Sequence, residues 1–223
     1  MTAIPLRALV LLLAAVPAAA CRTTTPDAPT PIVQPGAPGQ ASRIISADKA
    51  ADLSRVQFTA ADVRFMQGMI GHHAQAVDMT ALLPSRTASE DMKKLALRIE
   101  VSQSDEIAMM KHWLEARGQE VPGPHVMHGH GAALMPGMLT ADEMTRLADA
   151  TGVEFDRLFL EGMIKHHGGA LTMVQELFAA PGAGQESEIF AFASDVDADQ
   201  RMEIERMQAM LAARAAPGGP MRQ

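Results

Sequence analysis

The sequence predicts an all-α protein, a four-helix bundle made of two duplicated helical hairpins, each preceded by a short helix. Three observations lead there. One unit occurs twice along the 223 residues, at an offset of 94. Helix caps and breakers mark out a short helix followed by a helical hairpin in each copy. No stretch shows the two-residue alternation of a half-buried strand.

The duplication is clearest where Phe65-Met66-Gln67-Gly68-Met69-Ile70-Gly71-His72-His73 aligns with Phe159-Leu160-Glu161-Gly162-Met163-Ile164-Lys165-His166-His167. Ala76 and Met79 then fall on Ala170 and Met173, Leu53 on Leu147, and Asp62 on Asp156. Upstream, Ser46-Ala47-Asp48 falls on Thr140-Ala141-Asp142. A second stretch aligns with a slip of three residues, as hairpin loops of unequal length produce: Gln103, Glu106, Ile107, Met110 and Leu114 meet Gln200, Glu203, Ile204, Met207 and Leu211. One bundle domain over 46–215 is expected, with repeat one at 46–114, a connection at 118–139 and repeat two at 140–211. A tail, 216–223, follows it.

In chain order, the N-terminus reads as an export signal over residues 1–20. Arg7 supplies the positive region, Ala8 to Val16 a short apolar run, and Ala18-Ala19-Ala20 the small residues before Cys21. The apolar run is too short to span a membrane, which needs about 20 residues. Small residues ending in a lone Cys resemble a bacterial lipobox, which implies lipid attachment at Cys21 and hence a membrane anchor; ordinary cleavage to a free periplasmic protein is the alternative. Residues 21–45 contain Pro26, Pro29, Pro31, Pro35 and Pro38 with Gly36 and Gly39, and read as an extended tether. Thr59 with Asp62, Thr87 with Glu90 and Thr140 with Glu143 have helix N-cap spacing. Pro84 marks a turn, Gly152 ends a short helix, and Pro181 with Gly182 and Gly184 ends a long one. The main helices are expected over roughly 59–83, 87–117, 154–180 and 185–214.

Composition narrows the chemistry. There are 17 Met and 8 His against one Trp and no Tyr, with 48% hydrophobic residues to fill a core. The single Cys excludes disulfides and thiolate metal sites within a monomer. Formal charge is -7, and removing residues 1–20 takes away Arg7 and no acid, giving -8. A nucleic-acid partner is disfavoured, because phosphate binding needs a basic footprint.

At 100° per residue, Phe65, Met69, His72, His73, Ala76, Met79 and Leu83 share an arc of about 120°, the width of a core-facing stripe. His72 and His73, and His166 and His167, therefore point inward at mid-helix, where four imidazoles meet whichever way the helices run. Met69, Met79, Met110, Met163, Met173 and Met207 flank them. A Met stripe alone is ordinary core filling. Buried His pairs are different, since each ring carries a donor and an acceptor that need partners. Thioether plus imidazole without thiolate suits copper, Cu(I) above all, and Ag(I) by the same softness. Zinc sites rarely use Met. A di-iron site would need Glu-x-x-His motifs, which the chain lacks. Gln103, Glu106, Gln200 and Glu203 are placed either to orient ring nitrogens or to form a polar rim beside the core. In the connection, His125, Met127, His128, His130, Met135 and Met138 form an accessory metal-capture candidate; a solvated loop with Met packing over the bundle is the alternative.

The duplicated Met-Ile-x-His-His-x-x-Ala-x-x-Met helix, with Met135-Pro136-Gly137-Met138 between the copies, resembles the bacterial family known as domain of unknown function three hundred and five. The resemblance covers about residues 46–211. It implies a ferritin-like four-helix bundle, and some periplasmic members of the family are associated with copper binding and tolerance. Here Gly168-Gly169 replaces the Ala74-Gln75 of the first copy, a change expected to soften the second helix.

The expected function is copper binding in the cell envelope for sequestration, delivery or resistance, with copper ions and a copper-handling protein as partners. No Ser-His-Asp set, Cys nucleophile, phosphate loop or His-Glu-x-x-His is present, so catalysis is not the leading reading. The alternatives are a metal-dependent redox enzyme on a ferritin-like bundle, or an envelope interaction module that binds no metal.

Overall fold

The computed structural model describes residues 30–34, 41–51, 57–123 and 134–215. These fall into two units, one within residues 1–52 and one within 53–223. The expected signal peptide, Cys21, His125, Met127, His128, His130 and the 216–223 tail lie outside the described residues, as does much of the tether.

In the first unit, β1 (Ile32–Gln34) pairs antiparallel with β2 (Arg43–Ile45), placing Ile32 opposite Ile45 and Val33 opposite Ile44. The sequence shows no strand alternation here, yet two short strands lie in the segment read as an extended tether. Ile32, Val33, Ile44 and Ile45 are all β-branched and so favour extended backbone, and four such residues bracket the Pro/Gly stretch. A short helix, α1 (Ala47–Ala51), follows and buries no side chain.

The second unit is the bundle: α2 (Ala60–Ala81), α3 (Leu83–Arg86), α4 (Glu90–Ala116), α5 (Ala141–Asp149), α6 (Gly152–Ala179) and α7 (Ser187–Ala215). Helix α2 packs on α4, α6 on α7, and the two hairpins join through α2 and α6. The last two run antiparallel, because Gly68 near the start of α2 meets Met173 late in α6, while Gly162 early in α6 meets Met79 late in α2.

Two capping boxes form as the spacing predicts, Thr59 with Asp62 and Thr140 with Glu143, each satisfying backbone N–H groups that a helix start leaves unpaired. Asp62 also accepts the N–H of Gly184 at 2.7 Å, tying the start of α2 to the α6–α7 loop. The third cap is corrected. Ser89, not Thr87, caps α4, by accepting from the Met92 N–H at 3.4 Å, while Thr87 ends α3 and accepts from the Ser89 N–H. Pro84 sits in the first turn of α3, where its missing N–H leaves no hydrogen bond broken.

The core forms two clusters. Met69, Met110 and Met173 lie in one, with Phe65, Trp113 and Phe192; Met79, Met163 and Met207 lie in the other, with Phe155 and Phe159. Each cluster thus combines two methionines of one repeat with the α2 or α6 methionine of the other, as an approximate two-fold relation between antiparallel repeats requires.

Candidate metal centre

The four histidines are fully buried. The apolar stripe of α2 faces that of α6, and both helices carry their His pair at mid-length, so antiparallel packing brings the pairs together. His72 and His166 lie face to face, with ring centroids 3.9 Å apart and planes tilted by 40°. His73 and His167 flank them, their centroids 6.4 and 6.1 Å from the ring of the preceding residue. The expectation that the imidazoles gather at mid-bundle holds, in the form of a central pair and two outer rings.

Every Nε2 has an acceptor. His72 Nε2 donates to the Pro136 carbonyl and His166 Nε2 to the His72 carbonyl, each at 3.0 Å. His73 Nε2 meets Glu106 Oε2 at 2.5 Å, and His167 Nε2 meets Glu203 Oε2 at 2.7 Å. A carbonyl or carboxylate oxygen only accepts, so these contacts place the ring proton on Nε2 and the lone pair on Nδ1. The Nδ1 atoms of His73, His166 and His167 are buried and have no hydrogen-bond partner. Burial, followed by the charges that His72, His167 and His73 would carry, pushes His166 well below the ordinary histidine range, which keeps its ring neutral at neutral pH.

The outer rings differ in their surroundings. Glu106 also accepts from Ser102 at 3.3 Å, whereas Glu203 lies 3.5 Å from the Arg98 guanidinium of the other hairpin. Glu106 is 18% exposed and Glu203 6%, so the more deeply buried carboxylate is the one given a cation. Of the polar residues expected to orient the rings, Glu106 and Glu203 do so. Gln103 and Gln200 do not: both are buried, and Gln103 Oε1 and both amide atoms of Gln200 lack hydrogen-bond partners.

The end of the connection forms a strap, Met135–Leu139, across the pair. Gln75 holds it with two hydrogen bonds to the Leu139 backbone, at 2.9 and 2.7 Å. On the other side Gly169 is a notch: a Cβ there would lie 1.9 Å from the Pro136 carbonyl oxygen. Gly137 turns the strap with φ of 74°. Beyond the softening expected of Gly168-Gly169, Gly169 is where strap and helix touch. Met138 is buried and Met135 half-buried against the first core cluster. Gln75, Pro136, Gly169 and Arg98 were not candidates from sequence; the only signal was the lapse of the repeat at 75 and 169.

Among the described residues, no three His, Cys, Asp or Glu side chains converge as a metal site. Any centre built here must therefore add thioether donors to the imidazoles, or turn the rings.

Known proteins share this arrangement of helices. A protein described as secreted, from Streptomyces coelicolor, with a DUF305 domain, is 31% identical, with 72% of this chain and 97% of that one covered at a TM-score of 0.59. CopM in its Cu(I)-bound form is 28% identical, with 72% and 100% covered at a TM-score of 0.53, and CopM is also known in Cu(II)-bound and Ag-bound forms. An uncharacterised protein of Acanthamoeba polyphaga mimivirus is 36% identical over 63 residues, 28% of this chain; the match spans 41% of that relative's length. The model of the family described as domain of unknown function (DUF305) matches residues 62–211, from the cap of α2 to the last turns of α7, and the chain belongs to that family.

Proposed function

We propose that this is an extracytoplasmic copper-binding protein serving copper sequestration, delivery or resistance in the cell envelope. His72, His73, His166 and His167 bind through Nδ1, and thioethers from Met69, Met79, Met110, Met163, Met173 and Met207 complete the donor set. The observation that carries this reading is a group of buried imidazoles whose Nε2 atoms are all engaged, while three Nδ1 lone pairs stay buried without a partner. Leaving such acceptors unmet is unfavourable by about 1–3 kcal/mol each. A soft cation meets them, and neutral imidazole with thioether selects Cu(I) and Ag(I) over harder ions.

CopM supports the choice of ion, having been observed with Cu(I), Cu(II) and Ag. The relative described as secreted supports a location outside the cytoplasm. Lipid attachment at Cys21 would hold the bundle at a membrane surface, where a copper-handling protein could exchange ions with it.

The test replaces all four histidines with Gln, which keeps an N–H donor for each Nε2 acceptor but removes the Nδ1 lone pair. The variant should fold and lose Cu(I) binding, and X-ray absorption of the copper-loaded parent should show nitrogen and sulfur scatterers. Cu(I) binding by the variant equal to the parent's would refute the assignment.

A further inference from the structure

The strap meets the two repeats with different side chains. A Cβ on Gly68 would touch Met135 Sδ and Met173 Cε, both at 3.4 Å. Two thioether side chains thus close over one bare point of α2, a single turn before His72. The next strap residue, Pro136, is the one that holds His72 Nε2. Gly162 is the equivalent point of α6, a single turn before His166. There the neighbours are Leu139 Cδ2 at 3.1 Å and Met79 Cε at 3.3 Å. Met79 matches Met173 in the repeat, so Leu139 stands where Met135 would be.

We propose that Met135 belongs to the metal centre, and that Met135 against Leu139 makes its two ends unequal for a soft monovalent cation. The end beside Gly68 presents two thioethers next to His72; the end beside Gly162 presents one next to His166. Met135 is placed by the backbone rather than by side-chain packing alone, because Gln75 fixes Leu139, the Gly169 notch seats Pro136, and Gly137 sets the turn between them. A donor held this way is positioned before the ion arrives. Thioether sulfur favours Cu(I) and Ag(I), whereas the isobutyl group of Leu offers no lone pair. The first ion therefore loads at the Gly68 end.

This inference rests on the copper reading, and one titration separates the two. The protein, with 13C-labelled methionine methyl groups and 15N-labelled histidines, is titrated with Ag(I), which is diamagnetic and redox-stable. The Met135 and Met173 methyl signals should move with the first equivalent, ahead of Met79. Met135→Leu should weaken binding at that end about tenfold, comparable to losing a supporting contact of a metal ligand. Leu139→Met should bring the Met79 shift forward into the first equivalent. Exchanges between Leu and Met conserve volume, and unchanged amide spectra confirm the fold. If the His72 and Met173 signals move while Met135 stays fixed at saturation, or if Met135→Leu titrates as the parent does, the role of the strap is overturned and the copper reading stands. If no His or Met signal of the parent moves, the copper reading itself falls.

Discussion

The two repeats carry the same His pair and the same inner methionines, yet they meet the strap in opposite ways. Position 75 of repeat one is a glutamine whose amide pairs with both polar groups of the Leu139 backbone. Its counterpart, 169, is a glycine that a single methyl group would drive into Pro136. A strap that crosses the centre of a two-fold bundle cannot meet both copies alike. One copy gains an arm to hold the strap and the other loses its side chain to let the strap in. The outer rings diverge too, here between repeated helices, since Glu203 has Arg98 beside it and Glu106 has Ser102. Symmetry survives among the inner histidines and methionines and lapses at the strap and at the carboxylates that hold the outer rings.

The largest effect is expected at Gln75. Gln75→Leu fills the space but leaves the buried N–H and C=O of Leu139 unpaired, which should destabilise the bundle by about 3 kcal/mol in urea unfolding. A change below about 0.5 kcal/mol, the range of an ordinary surface substitution, would mean that Gln75 does not hold the strap.

Next is the glycine pair. Gly169→Ala should destabilise by about 2 kcal/mol, because the new methyl group meets backbone atoms that can yield only by moving the strap. Gly168→Ala has nothing within 4 Å of its added carbon and should stabilise the helix by about 1 kcal/mol. Equal responses from the two neighbours would show that the notch reading is mistaken and that the glycines only soften the helix.

The smallest effect tests an ion pair that repeat two alone carries. Lys165 Nζ lies 2.8 Å from Glu143 Oε1, joining α5 to α6; the corresponding residues of repeat one are Gly71 and Lys49. The Lys165 ammonium, with the Thr140 backbone N–H next in effect, lowers the Glu143 carboxyl to about 2. A depressed carboxyl pKa stabilises the fold above the unfolded value near 4.5, and that contribution fades as pH falls toward 2. Both side chains are partly exposed, so solvent screening limits the effect at pH 7 to about 0.5 kcal/mol. Glu143→Gln should be less stable than the parent at neutral pH, and the gap should narrow in acid unfolding series between pH 4.5 and pH 2. A gap that does not change with pH would mean that the ionisation of Glu143 contributes nothing to stability.

Much of the fold and part of the centre were legible in the sequence because they rest on local regularities. The repeat, the caps at Thr59 and Thr140, and the inward arc of Met69, His72, His73 and Met79 follow from spacing along a single helix, where 3.6 residues per turn fixes which side chains share a face. Thr87 was misread because Thr87 and Ser89 both precede Glu90, and cap spacing alone does not say which hydroxyl reaches the helix. The strands at 32–34 and 43–45 were missed because three residues are too few to show alternation.

The sequence by itself determined the class of fold, the inward face that buries the histidines and the soft thioether and imidazole side chains gathered on it, all carried by residue type and helical period. Tertiary structure alone decided which oxygen each ring Nε2 meets. The acceptor of His73 lies 33 residues away, that of His167 36, and that of His72 64. A hydrogen bond acts over about 3 Å, so its partner is set by how helices and strap pack, not by order along the chain.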